Sequence, residues 1–161
     1  MNARIDRADR KILSILQRDC TLPVADIARQ VGLSTTPCWR RIQRLREEGV
    51  FKDHPVILNR EKVGLTTMVF AHVKLTSHGR SNLSAFAEAV RKYPEVMECC
   101  VVTGQSSDYL LKAVVPDMEY YEKFLLGKLT RIPGVTGVHS SFELRRVVLD
   151  TALPLEHIEH N

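Results

Sequence analysis

A chain of 161 residues is long enough for one ordinary domain or for two small ones. With 44% hydrophobic and 26% charged residues, its composition is that of a globular protein and excludes a long disordered chain. No apolar run approaches the roughly 18 residues that a membrane span needs, and the charged N-terminus lacks the apolar core of a signal peptide. We therefore expect a cytoplasmic protein.

The net charge of +4 is unevenly distributed along the chain. Residues 1–62 contain 13 Lys and Arg against 8 Asp and Glu, a balance of +5, whereas the remaining residues contain 10 against 11. A basic segment joined to a neutral one is typical of a nucleic-acid-binding module attached to a partner domain. Charge alone is a weak criterion, so the residue pattern inside the basic segment has to show whether it binds nucleic acid.

The basic segment begins with two predicted helices. Asp6 and Asp9 favour a helix start, because carboxylates are stabilised near the positive end of a helix. Apolar residues then recur at helical spacing at Ala8, Ile12, Ile15 and Leu16. Pro23 suits the first turn of a second, short helix from Val24 to Val31.

A tight turn leads to a third helix, predicted from Thr35 to Glu48. Gly32 can adopt the positive φ that ends a helix, and Ser34 is a good N-cap for the next one. Leu33 between them can fill the corner. Two short helices joined by such a turn predict a helix-turn-helix motif over residues 24–43.

The third helix is predicted to read DNA. Cys38, Ile42 and Leu45 lie within about 60° of one another around the helix, so they face inward. The opposite face combines arginines with hydrogen-bonding side chains, which suits a DNA major groove better than it suits a merely solvated basic surface. Trp39, on a flank, is expected to pack against the first helix or the wing. The residues expected to contact DNA are Ser34, Thr35, Thr36, Pro37, Arg40, Arg41, Gln43 and Arg44.

A small wing is predicted after the third helix. Residues 50–52 would be extended, Asp53-His54-Pro55 would form the turn, and residues 56–58 would lead away from it. Asn59 is then expected to cap a short helical turn that ends at Gly64.

The rest of the chain alternates between strand and helix patterns. Strands are predicted at Met68–Leu75, Val96–Thr103, Tyr109–Val115 and Val135–Val147, and helices at residues 81–92 and 117–130. This βαββαβ order is the ferredoxin-like plan. A faint repeat, in which Pro94 and Pro133 each lead from a helix into a Val-rich strand, indicates two similar halves. With both helices on one sheet face, we expect a second copy of the chain to cover the other.

Three runs of residues together form a recognisable pattern. They are Asp6-Arg-Ala-Asp9-Arg-Lys-Ile-Leu, Ala28-Arg-Gln-Val-Gly-Leu-Ser-Thr-Thr-Pro-Cys-Trp-Arg-Arg and Leu45-Arg-Glu-Glu-Gly-Val. With them the chain resembles the Lrp/AsnC family, the leucine-responsive regulatory protein and its relatives. The resemblance covers about residues 5–155. It implies a transcriptional regulator that binds operator DNA, with an ACT-like C-terminal domain that dimerises through its sheets and often assembles into octamers.

The resemblance also implies an amino-acid effector site between dimers. The matching run is Val102-Thr-Gly104-Gln-Ser-Ser-Asp108-Tyr109, one residue longer between Gly and Asp than in most relatives. A zwitterion needs N–H donors for its carboxylate and oxygen acceptors for its ammonium, which a glycine loop and a carboxylate can supply. The residues expected to bind the effector are Thr103, Gly104, Ser107, Asp108, Tyr109, Ser140 and Ser141.

Catalysis and metal binding are the remaining possibilities. The cysteines Cys20, Cys38, Cys99 and Cys100 have no CxxC spacing and are interpreted as buried or half-buried thiols. Because no GxSxG, Walker or HExxH motif is present, we expect no catalytic residue, no metal and no cofactor. Two alternatives stay open: an enzyme like the tetrapyrrole decarboxylases of similar architecture, and an effector-free DNA-binding architectural oligomer.

The expected architecture is therefore α+β. A winged helix-turn-helix domain would occupy residues 1–55, a linker 56–66, a ferredoxin-like, ACT-like effector-binding and oligomerisation domain 67–150, and a frayed tail 151–161. The expected partners are double-stranded operator DNA, a small amino acid and further copies of the chain, as a dimer and on the resemblance an octamer. No membrane is expected among them.

Overall fold

The computed structural model describes residues 4–52, 55–76, 80–103 and 107–157. They form two compact units. One unit combines the residues up to Val56 with those from Val148 onward, and the other spans Ile57–Val147. Each has its own cluster of buried apolar side chains.

The first unit contains three helices where the sequence predicts them: α1 at Arg7–Leu16, α2 at Val24–Val31 and α3 at Thr35–Glu47. Asp6 and Asp9 start α1 by forming a capping box. The Asp9 backbone N–H donates to the Asp6 carboxylate at 2.8 Å, and the Asp6 N–H donates to the Asp9 carboxylate at 3.1 Å.

The helix-turn-helix corner is confirmed. Gly32 has a φ of 75°, and the backbone N–H of Leu33 donates to the Ala28 carbonyl at 2.9 Å. Ser34 is the N-cap of α3, although its side chain makes no capping hydrogen bond. The predicted inward residues of α3 are all buried, and the core cluster of this unit consists of Ile12, Ile27, Ala28, Cys38 and Ile42.

The predicted wing contains no paired strands among the described residues. Residues 50–52 and 55–59 belong to no strand, and the predicted turn residues Asp53 and His54 lie outside the described residues. The apolar residues 56–58 are each at least 67% exposed, so no core packing supports a hairpin there. An isolated two-stranded hairpin is only marginally stable without such packing.

The predicted turn after this segment is confirmed. The side-chain oxygen of Asn59 accepts hydrogen bonds from the backbone N–H groups of Glu61 and Lys62, at 3.1 and 3.2 Å. Gly64, with a φ of 80°, ends the turn.

The second unit has the predicted βαββαβ order. Its elements are β1 at Thr67–Leu75, α4 at Arg80–Val90, β2 at Val96–Val101, β3 at Tyr109–Val115, α5 at Met118–Gly127 and β4 at Val135–Phe142. The strands form one antiparallel sheet in the order β2-β3-β1-β4. Apolar side chains from alternate β1 positions pack with both helices, in a core that includes Val69, Val73, Phe86, Val90, Tyr121 and Phe124.

Strand β4 ends five residues before the predicted Val147. Phe142 pairs with Val69, and the Glu143 N–H then donates to the Met68 carbonyl. Because β1 begins at Thr67, no neighbouring backbone is left to pair with the residues that follow. The valines there are exposed despite their strand propensity.

The tail is not frayed as far as it is described. The Gln17 side chain at the end of α1 donates to the Leu153 carbonyl at 3.2 Å and accepts from the Leu153 N–H at 2.6 Å. Residues Leu155–His157 then form a 3-10 turn that contacts α1. The first unit is therefore assembled from both ends of the chain.

The thiol interpretation holds for one cysteine only. Cys38 is buried in the first core, but Cys20, Cys99 and Cys100 are exposed. The described residues include no helix that is long and apolar enough to cross a membrane.

Candidate nucleic-acid interface and the predicted effector loop

The residues predicted to contact DNA differ in exposure along α3. Ser34, Thr35, Thr36, Pro37 and Arg40 are exposed, whereas Arg41, Gln43 and Arg44 are half-buried. Trp39 keeps 51% of its surface exposed, so any packing against α1 is partial. The start of α3 and Arg40 are the parts of the predicted set that solvent, and hence DNA, can reach most easily.

Arg41 and Arg44 are half-buried because both face carboxylates at the start of α1. Arg41 Nη1 lies 2.5 Å from Asp6 Oδ2 and 2.8 Å from Asp9 Oδ1. Arg44 Nη2 lies 2.5 Å from Asp9 Oδ2. Each pair is spaced three residues apart on its helix, so the arginines of α3 and the carboxylates face each other. Asp6, Asp9, Arg41 and Arg44 form the ion-pair cluster.

Asp9 is the centre of the ion-pair cluster. Its side chain is fully buried, and its oxygens accept hydrogen bonds from the Asp6 N–H and from both guanidinium groups. A buried carboxylate is costly unless it is paired and hydrogen-bonded, and here it is both. Neither arginine was predicted to have an internal partner, since Asp6 and Asp9 were interpreted only as a helix start. The capping box already accounts for both carboxylates, so the sequence offers no separate signal for their arginine partners.

Asp6 lies at the exposed edge of the cluster, with half of its side chain in solvent. Burial opposes its charged form, but the hydrogen bonds from the Asp9 N–H and the Arg41 guanidinium outweigh burial and lower the pKa of Asp6 to about 2. The hydrogen bonds that the Arg41 guanidinium donates to the Asp6 and Asp9 carboxylates raise the pKa of Arg41. Both groups are thus held in their charged forms.

An open groove of about 520 Å³ borders the cluster. Besides the cluster itself, it is lined by Arg4, Pro37 and Arg40. Within the described part of the chain, the Arg40 side chain makes no hydrogen bond or ion pair, which leaves its five N–H donors available. Arg40 therefore differs in kind from its neighbours Arg41 and Arg44.

The predicted effector residues do not form one cluster in the protomer. The Ser107 hydroxyl lies 3.3 Å from His72 Nδ1, and the Ser140 hydroxyl lies 2.5 Å from the Tyr121 hydroxyl. His72 pairs with His139, the residue before Ser140, and successive strand residues point to opposite faces. The two contacts therefore lie on opposite faces of the sheet. Ser141 shares the open face with His72 and is exposed.

Asp108 and Tyr109 are both anchored in the second unit. Asp108 is only 7% exposed, and its Oδ2 accepts a hydrogen bond from the Leu75 N–H at 2.7 Å. The Tyr109 hydroxyl donates to the Leu83 carbonyl at 2.9 Å, and its ring packs on Phe86 with centroids 4.6 Å apart. Thr103 is exposed at the end of the described part of the loop, and Gly104 lies outside the described residues.

Two family models match the chain. The AsnC-type helix-turn-helix domain matches residues 5–46, and the Lrp/AsnC ligand binding domain matches residues 68–153. The chain belongs to the Lrp/AsnC family. The resemblance predicted from the sequence is confirmed, and so is the α+β class with its N-terminal helix-turn-helix.

Individual relatives cover nearly the whole chain. The Bkd operon transcriptional regulator of Pseudomonas aeruginosa is 41% identical over 95% of this chain and 99% of its own. Among solved structures, an AsnC family regulator from Agrobacterium tumefaciens is 43% identical with a TM-score of 0.90, covering 96% of this chain and 100% of its own. A transcriptional regulator from Neisseria meningitidis in complex with L-Met is 36% identical with a TM-score of 0.90, covering 95% and 98%.

Membership of the Lrp/AsnC family decides the class of function. The chain is a DNA-binding transcriptional regulator, and nothing in these likenesses supports the enzyme alternative. Among the described residues, no group of three or more His, Cys, Asp or Glu side chains could hold a metal ion.

The ion-pair cluster predicts a pH dependence. Asp6→Asn should lower the free energy of unfolding near neutral pH, and its difference from wild type should shrink as the pH falls from about 4 to about 2. The folded pKa of about 2 lies below the ordinary value of 3.8, so this stabilisation is complete above 3.8 and is lost as Asp6 is protonated. Denaturant titrations at each pH, followed by the fluorescence of Trp39, the single tryptophan, measure the difference in free energy of unfolding. A difference that stays constant from about pH 5 to pH 2 would contradict the assignment.

Proposed function

We propose that this regulator acts in the cytoplasm and reads operator DNA by placing the N-terminal half of α3 in the major groove. The observation that carries the proposal is the exposed Arg40 side chain, unpaired within the described residues, beside the arginine-lined groove. An arginine can donate two hydrogen bonds to one guanine, the commonest specific contact to a base. The exposed start of α3 supports it with hydroxyls and backbone N–H groups at Ser34, Thr35 and Thr36, next to Pro37, while Gln43 lies one turn along the helix.

Arg40→Ala should reduce the preference for operator over random DNA. A lost bidentate base contact corresponds to about 1–3 kcal/mol of discrimination. Titrations of both duplexes at one fixed salt concentration measure the ratio of the two affinities. Lys11→Ala, a charge removal on α1, is the matched control and should weaken both duplexes alike. Wild-type preference in Arg40→Ala would refute the role of Arg40.

We also propose that the regulator works as a dimer, with dimers assembling further into octamers. The support is the sheet of the second unit: its helices α4 and α5 pack with one face, while Phe70, Leu110 and Val114 on the opposite face are only half-buried. A second copy of the chain is the simplest cover for the remaining face. A two-fold dimer would present two α3 helices to two half-sites.

The assembly proposal predicts an even oligomer on a palindrome-like operator. Half-sites about 10 base pairs apart, or a multiple of that distance, should bind most tightly, because both helices then meet the same face of the duplex. Light scattering gives the oligomeric state, and operators with altered spacing test the geometry. A monomer at micromolar concentration would contradict the proposal.

We propose that an amino acid bound at the loop between β2 and β3 is the effector. The support is the Neisseria meningitidis relative in complex with L-Met, together with the polar end of this loop. Thr103, Ser107 and Asp108 offer oxygen atoms there, and Gly104 offers a backbone N–H group. Ser141, on the open sheet face, would meet the ligand at a contact between copies, whereas Ser140 and Tyr109 support the site from the core.

Asp108→Asn should abolish the response to the effector. The amide oxygen can still accept the hydrogen bond from the Leu75 N–H, but the charge that would bind an ammonium is lost. Thermal-shift screening of the twenty amino acids identifies the ligand, since a bound ligand stabilises the protein by about 2.7 kcal/mol at a hundredfold excess over Kd. Glu122→Gln, an exposed charge removal on α5, is the control. The same thermal shift at the same amino-acid concentration in Asp108→Asn and wild type would contradict the assignment of Asp108 to the effector site.

A further inference from the structure

Arg44 links three parts of the DNA-binding unit. Its Nη2 lies 2.5 Å from the buried Asp9 carboxylate, and its Nη1 donates to the backbone carbonyl of Arg4 at 3.1 Å. Arg4 precedes the capping box, so this contact fixes the N-terminal arm, residues 4–6, against α3. Arg41 fixes the other end of the arm through its bond to Asp6.

The two arginines of the ion-pair cluster are poorly available to DNA. Their side chains are 33% and 39% exposed, and three carboxylates already face them: those of Asp6 and Asp9, and that of Glu48 at 3.7 Å from Arg44. If either arginine left the cluster for a phosphate, the fully buried Asp9 would lose a partner, and an uncompensated buried charge is strongly unfavourable. Arg4 and Arg40, by contrast, line the same groove without an internal charge partner among the described residues.

We propose that Arg41 and Arg44 are positioning residues, which hold the N-terminal arm so that Arg4 contacts a DNA phosphate next to Arg40. This rests on the proposed placement of α3 in the major groove, and it replaces our prediction that Arg41 and Arg44 contact DNA themselves. Arg44 acts through Arg4: it supplies geometry, and Arg4 supplies the charge that the phosphate meets. The guanidinium fork suits this role, because it can bond to Asp9 and to the Arg4 carbonyl at once.

The salt dependence of DNA binding tests whether Arg44 positions Arg4 or contacts a phosphate itself. Each phosphate contact contributes about 0.9 to the slope of log affinity against log salt concentration. With the full-length chain and random duplex DNA, Arg4→Gln should reduce the slope by about 0.9 for each protomer that contacts the duplex, hence by about 1.8 for the proposed dimer. Arg44→Gln should reduce it by a similar amount, because the released arm no longer presents Arg4. Adding Arg44→Gln to Arg4→Gln should then change the slope no further.

Arg44→Lys gives a second, independent measurement. Lysine is a good phosphate ligand as a point charge, so a direct contact would survive this substitution with its slope unchanged. A positioning role would not survive, because an ammonium cannot reproduce the geometry with which the guanidinium bonds to Asp9 and to the Arg4 carbonyl at once. Arg44→Lys should therefore behave like Arg44→Gln, and it decides the question if Arg44→Gln fails to fold by Trp39 fluorescence.

The controls separate this proposal from the one on which it rests. In a second double-mutant cycle, Lys11→Gln takes the place of Arg4→Gln. The slope losses of Lys11→Gln and Arg44→Gln should add, because Lys11 is outside the ion-pair cluster. Additive slope losses for Arg4→Gln and Arg44→Gln, or an unchanged slope in Arg44→Lys, would overturn the positioning role while leaving operator preference intact. If instead α3 does not read the operator, Arg40→Ala should keep the operator preference of the wild type.

Discussion

The DNA-binding unit depends on one buried carboxylate, that of Asp9. Three short helices bury few apolar side chains, seven among the described residues, so polar interactions supplement this small core. Asp9 caps the start of α1 and receives both arginines of the ion-pair cluster, which fixes where α3 lies against α1. Because this carboxylate is fully buried, the cluster has little freedom to rearrange.

Elements whose signals are local were predicted closely. The bounds of α2 and β3 coincide with the prediction, and the corner at Gly32 follows from its positive φ. The partners of Arg41 and Arg44 were missed because helical periodicity states which way a side chain leaves its own helix, not what meets it there. Carboxylates more than thirty residues earlier in the chain meet these arginines, and only the packing of α1 on α3 reveals them.

The same limit explains the errors in the second unit and at its borders. A strand ends where its neighbour ends, so the valines after Phe142 could not extend β4 once β1 had no residue left to pair. The candidate effector residues follow from the family resemblance of the loop before β3 and from the hydroxyl groups of Ser140 and Ser141. The pleat sends Ser140 and Ser141 to opposite faces, and the hydrogen bond of Asp108 to Leu75 gives that carboxylate a structural task as well.

The tail changes how the two units are connected. The match to the ligand binding domain runs to residue 153, yet the chain from Val148 onward belongs to the DNA-binding unit, with Leu153 bonded to Gln17 of α1. The ligand-binding unit is therefore inserted into the DNA-binding unit, and two covalent connections join them instead of one. One connection follows α3, and the other leads to α1. Since the ion-pair cluster ties α1 to α3, the helix that precedes one connection and the helix that the tail contacts are bonded to each other.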